Sequence, residues 1–272
     1  MNKKYSLVAS ALAALALTGA AYAAPITVTG SSTFGGDTLS AQATFDIVGS
    51  QLIVTLRNTA PDDTTGQFVP QQGLSGIFFN LPDAITLTAV SATITSGQII
   101  QGDQCDVNSG PPTGDNAANC TSAQTDVGGE FAYALTSLGG ADRGISSSGL
   151  GIFGPGDVFG SPDLDSPDDP DGFNFELISA NETAFNPNPG LSAEPLIQGT
   201  VTFVLDISGG TLSTSDISNF RFQYGTSTTE PSIIGECRGD CSPQQQVPEP
   251  GTLLILAPAL LGLGLVRRRR AR

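Results

Sequence analysis

Ala41, Ala43, Phe45 and Ile47 alternate with polar residues, Gly49-Ser50 interrupts the run, and Leu52, Val54 and Leu56 take the alternation up again. A period of two puts one set of side chains on one face of a strand, and a two-residue break containing Gly is hairpin chemistry. The spacing predicts two antiparallel strands sharing one buried face. Leu74 to Leu81 is a more continuous apolar run, which reads as a central strand ended by Pro82-Asp83. Ile85, Leu87, Ala89 and Ile94 continue the alternation. Phe131–Leu138, Gly144–Phe153, Phe173–Ser179, Thr200–Ile207 and Asn219–Tyr224 are further strand candidates. Beyond the two ends of the chain, no stretch carries a sustained 3.6-residue apolar period, and no internal repeat suggests a solenoid or propeller. The expectation is an all-β fold, an antiparallel β-sandwich of jelly-roll-like or immunoglobulin-like type, over residues 24–235.

The two ends follow different rules. Lys3 and Lys4 precede an apolar Leu7–Leu17 segment, and Ala21-Tyr22-Ala23 has the small-x-small form of a leader cleavage site. Residues 1–23 therefore read as a signal peptide, with Ala21 and Ala23 marking the cut. At the other end, residues 247–272 hold Pro248-Glu249-Pro250, then the uncharged stretch Gly251–Val266, then Arg267, Arg268, Arg269 and Arg270. Sixteen residues of helix span about 24 Å, slightly short of the ~20 residues usual for a bilayer. Arginines at one end can snorkel, and they favour the cytoplasmic side. Pro258 would kink such a helix, which makes it a poor permanent anchor. The prolines around Glu249 keep the backbone extended, as a protease substrate must be.

Loss of both ends would change the charge sharply. The chain has 11 basic residues, and two lysines sit in the leader and five arginines in the tail. Four remain, Arg57, Arg143, Arg221 and Arg238, against 25 or 26 acids according to whether Glu249 is kept. Such a surface repels nucleic acid and anionic lipid. The same mature chain has no His, Trp, Met or Lys. That excludes a Ser-His-Asp triad, a Cys-His pair, His-ligated zinc and Schiff-base chemistry. No phosphate-binding glycine loop is present. Carboxylate-only hydrolysis would need two acids facing across a cleft, which spacing does not show, so a non-enzyme is expected.

Cys105, Cys120, Cys237 and Cys241 read as disulfides in an exported chain. Three pairings are open, and local closure of Cys105 with Cys120 and Cys237 with Cys241 is the simplest. Their C-x14-C and C-x3-C spacings are not those of a zinc ribbon. Residues 236–246 read as a Cys-stapled turn and linker, in which Arg238-Gly239-Asp240 would be displayed as a tight loop. The stretch 154–172 is rich in Gly, Pro and Asp, and carries Asp163, Asp165, Asp168, Asp169 and Asp171. Clustered carboxylates suit calcium, yet the EF-hand register fails because Pro167 falls where a ligand should be and Asp168 where Gly should be. Calcium is the one cofactor the residues allow; otherwise none is expected.

The tail resembles the PEP-CTERM sorting signal of bacterial exosortase substrates: tripeptide, apolar segment, arginine cluster. Asn58-Thr59-Ala60, Leu74–Phe79, Phe222–Thr226 and Glu230-Pro231 are similar to segments of such surface proteins. The resemblance implies a Gram-negative, polysaccharide-producing source and export through the inner membrane. It implies brief retention there, then release to the cell surface or matrix. Signal peptidase and the secretion machinery would be partners, and so would an inner-membrane exosortase reading Pro248, Glu249 and Pro250. Exopolysaccharide is allowed as a partner; nucleic acid is not. The expected role is a structural or interaction protein of the surface or biofilm matrix. A carbohydrate-binding or calcium-dependent adhesive module is the alternative.

Overall fold

The computed structural model describes residues 24–61, 68–100, 123–160, 163–165, 170–182, 186–189, 191 and 194–238. The strands are β1 (Ile26–Phe34), β2 (Asp37–Val48), β3 (Gln51–Asn58), β4 (Leu74–Asn80), β5 (Thr86–Ile100), β6 (Ala132–Leu135), β7 (Arg143–Ser146), β8 (Leu177–Ile178), β9 (Leu196–Ser208), β10 (Ser218–Tyr224), β11 (Ser232–Ile234) and β12 (Glu236–Arg238). Helix among the described residues is limited to single 3-10 turns. The fold is all-β, and every strand pair is antiparallel except β8 with β9.

The hairpin forms as its alternation predicts. Val48 faces Gln51 across Gly49-Ser50, and Gly49 takes φ 63°, a left-handed conformation that Gly adopts without strain. Ala41, Ala43, Phe45, Leu52, Val54 and Leu56 are fully buried. Each buried Leu or Phe contributes about 1.5–3 kcal/mol of transfer free energy. Strand β4 is interior, flanked by β10 on one edge and by β7 and β8 on the other. The candidates Thr200–Ile207 and Asn219–Tyr224 fall within β9 and β10, where Val201, Phe203 and Leu205 are buried, as are Phe220, Phe222 and Tyr224.

Three candidate strands shorten. Gly144–Phe153 is strand only through Ser146, after which Leu150 adopts φ 54° in a turn. Phe173–Ser179 keeps only Leu177–Ile178, because the chain turns through Phe175 at φ 58°. Phe131–Leu138 is strand only as Ala132–Leu135. Two elements carry no clear sequence signal. Strand β1 has an apolar face for two residues only, Ile26 and Val28, before its exposed Ser31–Phe34 stretch. Strand β12 lies within 236–246, a stretch expected to be turn and linker, and pairs with β1 through Thr27–Arg238, Val28–Cys237 and Thr29–Glu236.

The hydrogen-bonded path runs β11-β10-β4-β8-β9-β3-β2-β1-β12. Its two ends are consecutive in the chain, joined by Gly235, whose N–H donates to Phe220 O at 2.8 Å. Gly30 makes room for this junction, since a Cβ there would meet Ile233 Cγ2 at 2.8 Å. Inside the curl, rings from segments that are not hydrogen-bonded neighbours touch. Phe45 lies 5.2 Å from Phe79 and 5.1 Å from Phe220, and Phe131 lies 5.0 Å from Phe203.

Register sorts the connections onto two ends. Ala24, the Gly49-Ser50 turn, residues 81–85, 136–142 and 209–217, and Arg238 share one end, fixed by the pairs Ile26–Phe45, Gln51–Asp206, Thr86–Ser208 and Thr27–Arg238. At the other end β3 stops at Asn58, β4 begins at Leu74, β7 stops at Ser146, β9 begins at Leu196 and β10 stops at Tyr224. The long connections therefore gather at the second end, and only short turns occupy the first.

Candidate functional site at the long-loop end

Polar groups are expensive to bury, so buried acids mark the places where a fold has done something other than pack. Two such places lie among the long connections. The first centres on Glu130, which ends a 3-10 turn, Gly128–Glu130. Its Oε1 accepts the backbone N–H groups of Leu164 and Asp165. Asp163 and Asp165 are buried beside it. Burial, together with the charge of Asp165, pushes the Glu130 carboxyl up to about 8, despite the loop hydrogen bonds and one to Asp163 that act the other way. Glu130 is thus mostly protonated near neutral pH, and it clasps the 163–165 segment as an uncharged group. Asn174 Nδ2 donates to Asp165 Oδ2 at 2.5 Å and to Asp171 Oδ1 at 3.5 Å. Glu194 is raised by burial and by the charges of Asp165 and Asp171.

The structure thus brings together three of the five aspartates considered for calcium. Asp168 and Asp169 lie outside the described residues. Among the described residues, no three Asp, Glu, Cys or His side chains are arranged to hold a metal ion. Glu130 and Asp163 are buried neighbours.

The second place centres on Glu176, which has no exposed surface. Ser148 Oγ donates to its Oε1 at 3.3 Å, while Oε2 has no hydrogen-bond partner. Burial first, then repulsion from Glu230, raises its pKa well above the carboxylate range. Buried serines surround it: Ser146 accepts from Ser148 N–H at 3.0 Å, and Ser147 N–H donates to Ser75 O at 2.9 Å. Gln223 Nε2 and Glu230 hold the 225–231 turn, the latter accepting Ser227 N–H at 2.9 Å.

A cavity of about 160 Å³ opens at the same end, lined in part by Leu39, Asn58, Phe68, Gln72, Ser179 and Glu182. Several of its polar groups are committed to the walls. Asn58 Nδ2 donates to Gln72 O and Leu177 O, each at 3.1 Å, and Ser179 Oγ donates to Ala60 O at 2.6 Å. At the short-turn end, a wider cleft of about 510 Å³ separates β5 from β6 and is lined by Asp83, Tyr133, Leu135, Arg143 and Asp157. Arg143 is bound into its wall by Asp142 at 2.6 Å and Ile85 O at 2.7 Å.

Cys237 is disulfide-bonded and packs against the core from β12. Cys105, Cys120 and Cys241 lie outside the described residues, as do Ala21, Ala23, Pro248, Glu249, Pro250 and Arg267–Arg270. Arg238 sits in a strand, where its Nε donates to Thr29 Oγ1 at 2.8 Å. Neither Glu130 nor the role of Glu176 is legible in the sequence. Glu130 follows two glycines in a polar stretch, and nothing local says that it will be enclosed.

Comparison with protein-family models, with curated proteins and with solved structures finds no match to this chain. Among the described residues no helix is long and apolar enough to cross a membrane.

Proposed function

We infer that the chain is an exported, exosortase-processed structural or interaction protein of a Gram-negative cell surface or extracellular matrix, without catalytic activity. The observation that carries this reading is the succession Pro248-Glu249-Pro250, uncharged Gly251–Val266 and Arg267–Arg270 at the end of a chain that opens with a leader. Signal peptidase cuts after Ala23; exosortase reads the Pro-Glu-Pro tripeptide and removes the apolar segment and the arginines. The domain is a β-sandwich in this reading. The packing of Phe45 against Phe79 and Phe220, from strands that are not hydrogen-bonded neighbours of β2, supports that type. The absence of His and Lys from the mature chain supports a role without catalysis.

Intact mass spectrometry of the protein from its producer, with the exosortase present and absent, tests this. The expected mass lacks residues 1–23 and everything beyond the Pro-Glu-Pro region, only when the exosortase is present. A mass retaining Arg267–Arg270 in both strains would mean a plain membrane anchor. The calcium-dependent adhesive alternative draws on Asp165 and Asp171, whose charges act on Glu194, although among the described residues no three such side chains are arranged to hold a metal ion. Calorimetry with calcium, then with a glycan panel, separates the two: heat for either ligand favours the adhesive module.

A further inference from the structure

We propose that the open edge of β5 at Thr86–Ala89 is a docking site for an extended peptide of another protein, one with an uncharged centre flanked by Lys or Arg. The peptide adds as a strand in the cleft between β5 and β6. This gives the interaction role proposed above a place on the molecule, and it does not depend on cleavage of the tail.

Backbone register leaves this edge unfilled. Ile207 N–H donates to Ser50 O at 2.7 Å, so Ile207, and Leu205 by alternation, turn their backbone groups toward β3. Leu87 and Ala89 lie opposite these two residues. Their own N–H and C=O groups therefore point away from β9, on the side of the cleft that Leu87 and Ala89 line. Further along the same edge the outward groups are used. Ile94 N–H donates to Thr125 O at 2.7 Å, and Val127 N–H donates to Ala92 O at 3.0 Å. Among the described residues no such partner meets Leu87 or Ala89. The chain thus completes one half of the edge with its own 125–127 segment and leaves the other half open. The opposite wall offers no equivalent, because β6 pairs with β7 on one side and Tyr133 N–H donates to Asp157 O at 2.9 Å on the other.

Shape and charge choose the occupant. The cleft holds about 510 Å³, within the ~300–1,000 Å³ of ligand pockets. Thr86–Ala89 offers about 14 Å of strand, a length suited to β-strand addition. Leu135, 72% exposed on the far wall, is an apolar contact for a side chain of the added strand. Sheets ordinarily block edge pairing with charged residues or Pro, and β5 has neither from Thr86 to Ile100. The charges lie around the edge instead. Asp83 and Asp157 line the cleft, and the exposed Asp206 stands opposite Thr88. Arg143, the cation of this wall, is buried and paired with Asp142. A second copy would bring the same carboxylates against these, from a mature chain with four basic residues and 25 or 26 acids. A segment flanked by Lys or Arg meets them with opposite charge.

The test titrates the isotopically labelled mature chain with an excess of the capped peptide Lys-Val-Thr-Val-Thr-Lys at low ionic strength, and reads amide hydrogen exchange by NMR. Exchange at Leu87 and Ala89 should slow several-fold, while Thr88, whose N–H faces β9, should not change. The peptide Glu-Val-Thr-Val-Thr-Glu should protect neither amide. Asp83→Asn, at an exposed position, should weaken binding of the lysine peptide several-fold. Ala89→Pro removes a cleft-facing N–H without touching the ladder to β9, and should abolish the protection at Leu87. Equal protection by the two peptides overturns the choice of a basic partner. Absence of protection by either overturns the docking edge and leaves the sorting reading, which the mass of the processed chain decides, intact. Dimerisation that Ala89→Pro abolishes, with no peptide binding, would mean that a second copy fills the cleft, and it overturns the proposal as well.

Discussion

Glu176 Oε2 lies directly over Gly73, so close that a Cβ at position 73 would overlap it. Gly73 has an ordinary backbone, φ −72°, so its role is space and not conformational freedom. Gly73→Ala is therefore an overpacking change, expected to cost about 1–3 kcal/mol in urea denaturation. Glu176→Ala vacates the same space. The double variant should lose clearly less than the two single losses combined, because the clash disappears with the carboxyl. Additive losses would show that the two residues do not oppose each other.

Burial of uncharged carboxyls has a pH signature. An acid whose pKa is higher in the fold than in the unfolded chain contributes stability that is full below its unfolded value and declines as pH rises through its folded value. For Glu130 that window runs from 4.5 to about 8. Within it, stability should fall as pH rises, by roughly 1 kcal/mol per pH unit from this group alone. Glu176, raised for the same reason, acts in the same direction. Glu130→Gln keeps an acceptor for Leu164 and Asp165 N–H, but cannot ionise. Its melting temperature should decline less than that of the native chain between pH 5 and 8, as read by thermal denaturation at matched ionic strength. Parallel profiles would place the titration elsewhere.

These acids also show where sequence reading stops. The Ala41–Leu56 hairpin, β9 and β10 were legible because alternation is a local property: the buried set is written every second residue. Strand β1 was not, since Ser31–Phe34 is exposed and Gly30 is chosen for the close passage of Ile233, a residue about 200 positions away. Strand β8 shrinks because Phe175 turns the chain so that Glu176 can point inward under the 146–148 serines. The enclosure of Glu130 depends on Leu164 and Asp165 arriving from a separate loop. In each case the deciding partner is distant in sequence, and no window around the residue contains it.

Arg143 is a buried cation with one partly exposed acid beside it and one backbone acceptor. Replacing it with Met removes a buried charge but leaves Ile85 O without its donor. The loss is expected to be about 1–3 kcal/mol, by chemical denaturation. Asp142→Asn should cost less, because Asp142 is 39% exposed and water screens the pair. If Asp142→Asn proves as damaging as Arg143→Met, the ion pair and not the Ile85 contact is what anchors β7 to the β4–β5 corner.

Strand β12 decides where the folded unit ends. A chain of residues 24–246 keeps the β1–β12 ladder, the Gly235 N–H to Phe220 O bond and the Cys237 disulfide. One ending at Ile234 loses all three. Loss of those backbone bonds and of a native cross-link should lower stability by about 2–5 kcal/mol, and it exposes the edge of β1 to solvent. Hydrogen exchange at Thr27, Val28 and Thr29 should then accelerate several-fold more than at Leu52–Leu56, which lie between β2 and β9 in both chains. Unchanged exchange at β1 would mean that 236–238 is a linker laid against the sheet, and that the domain is already complete at Ile234.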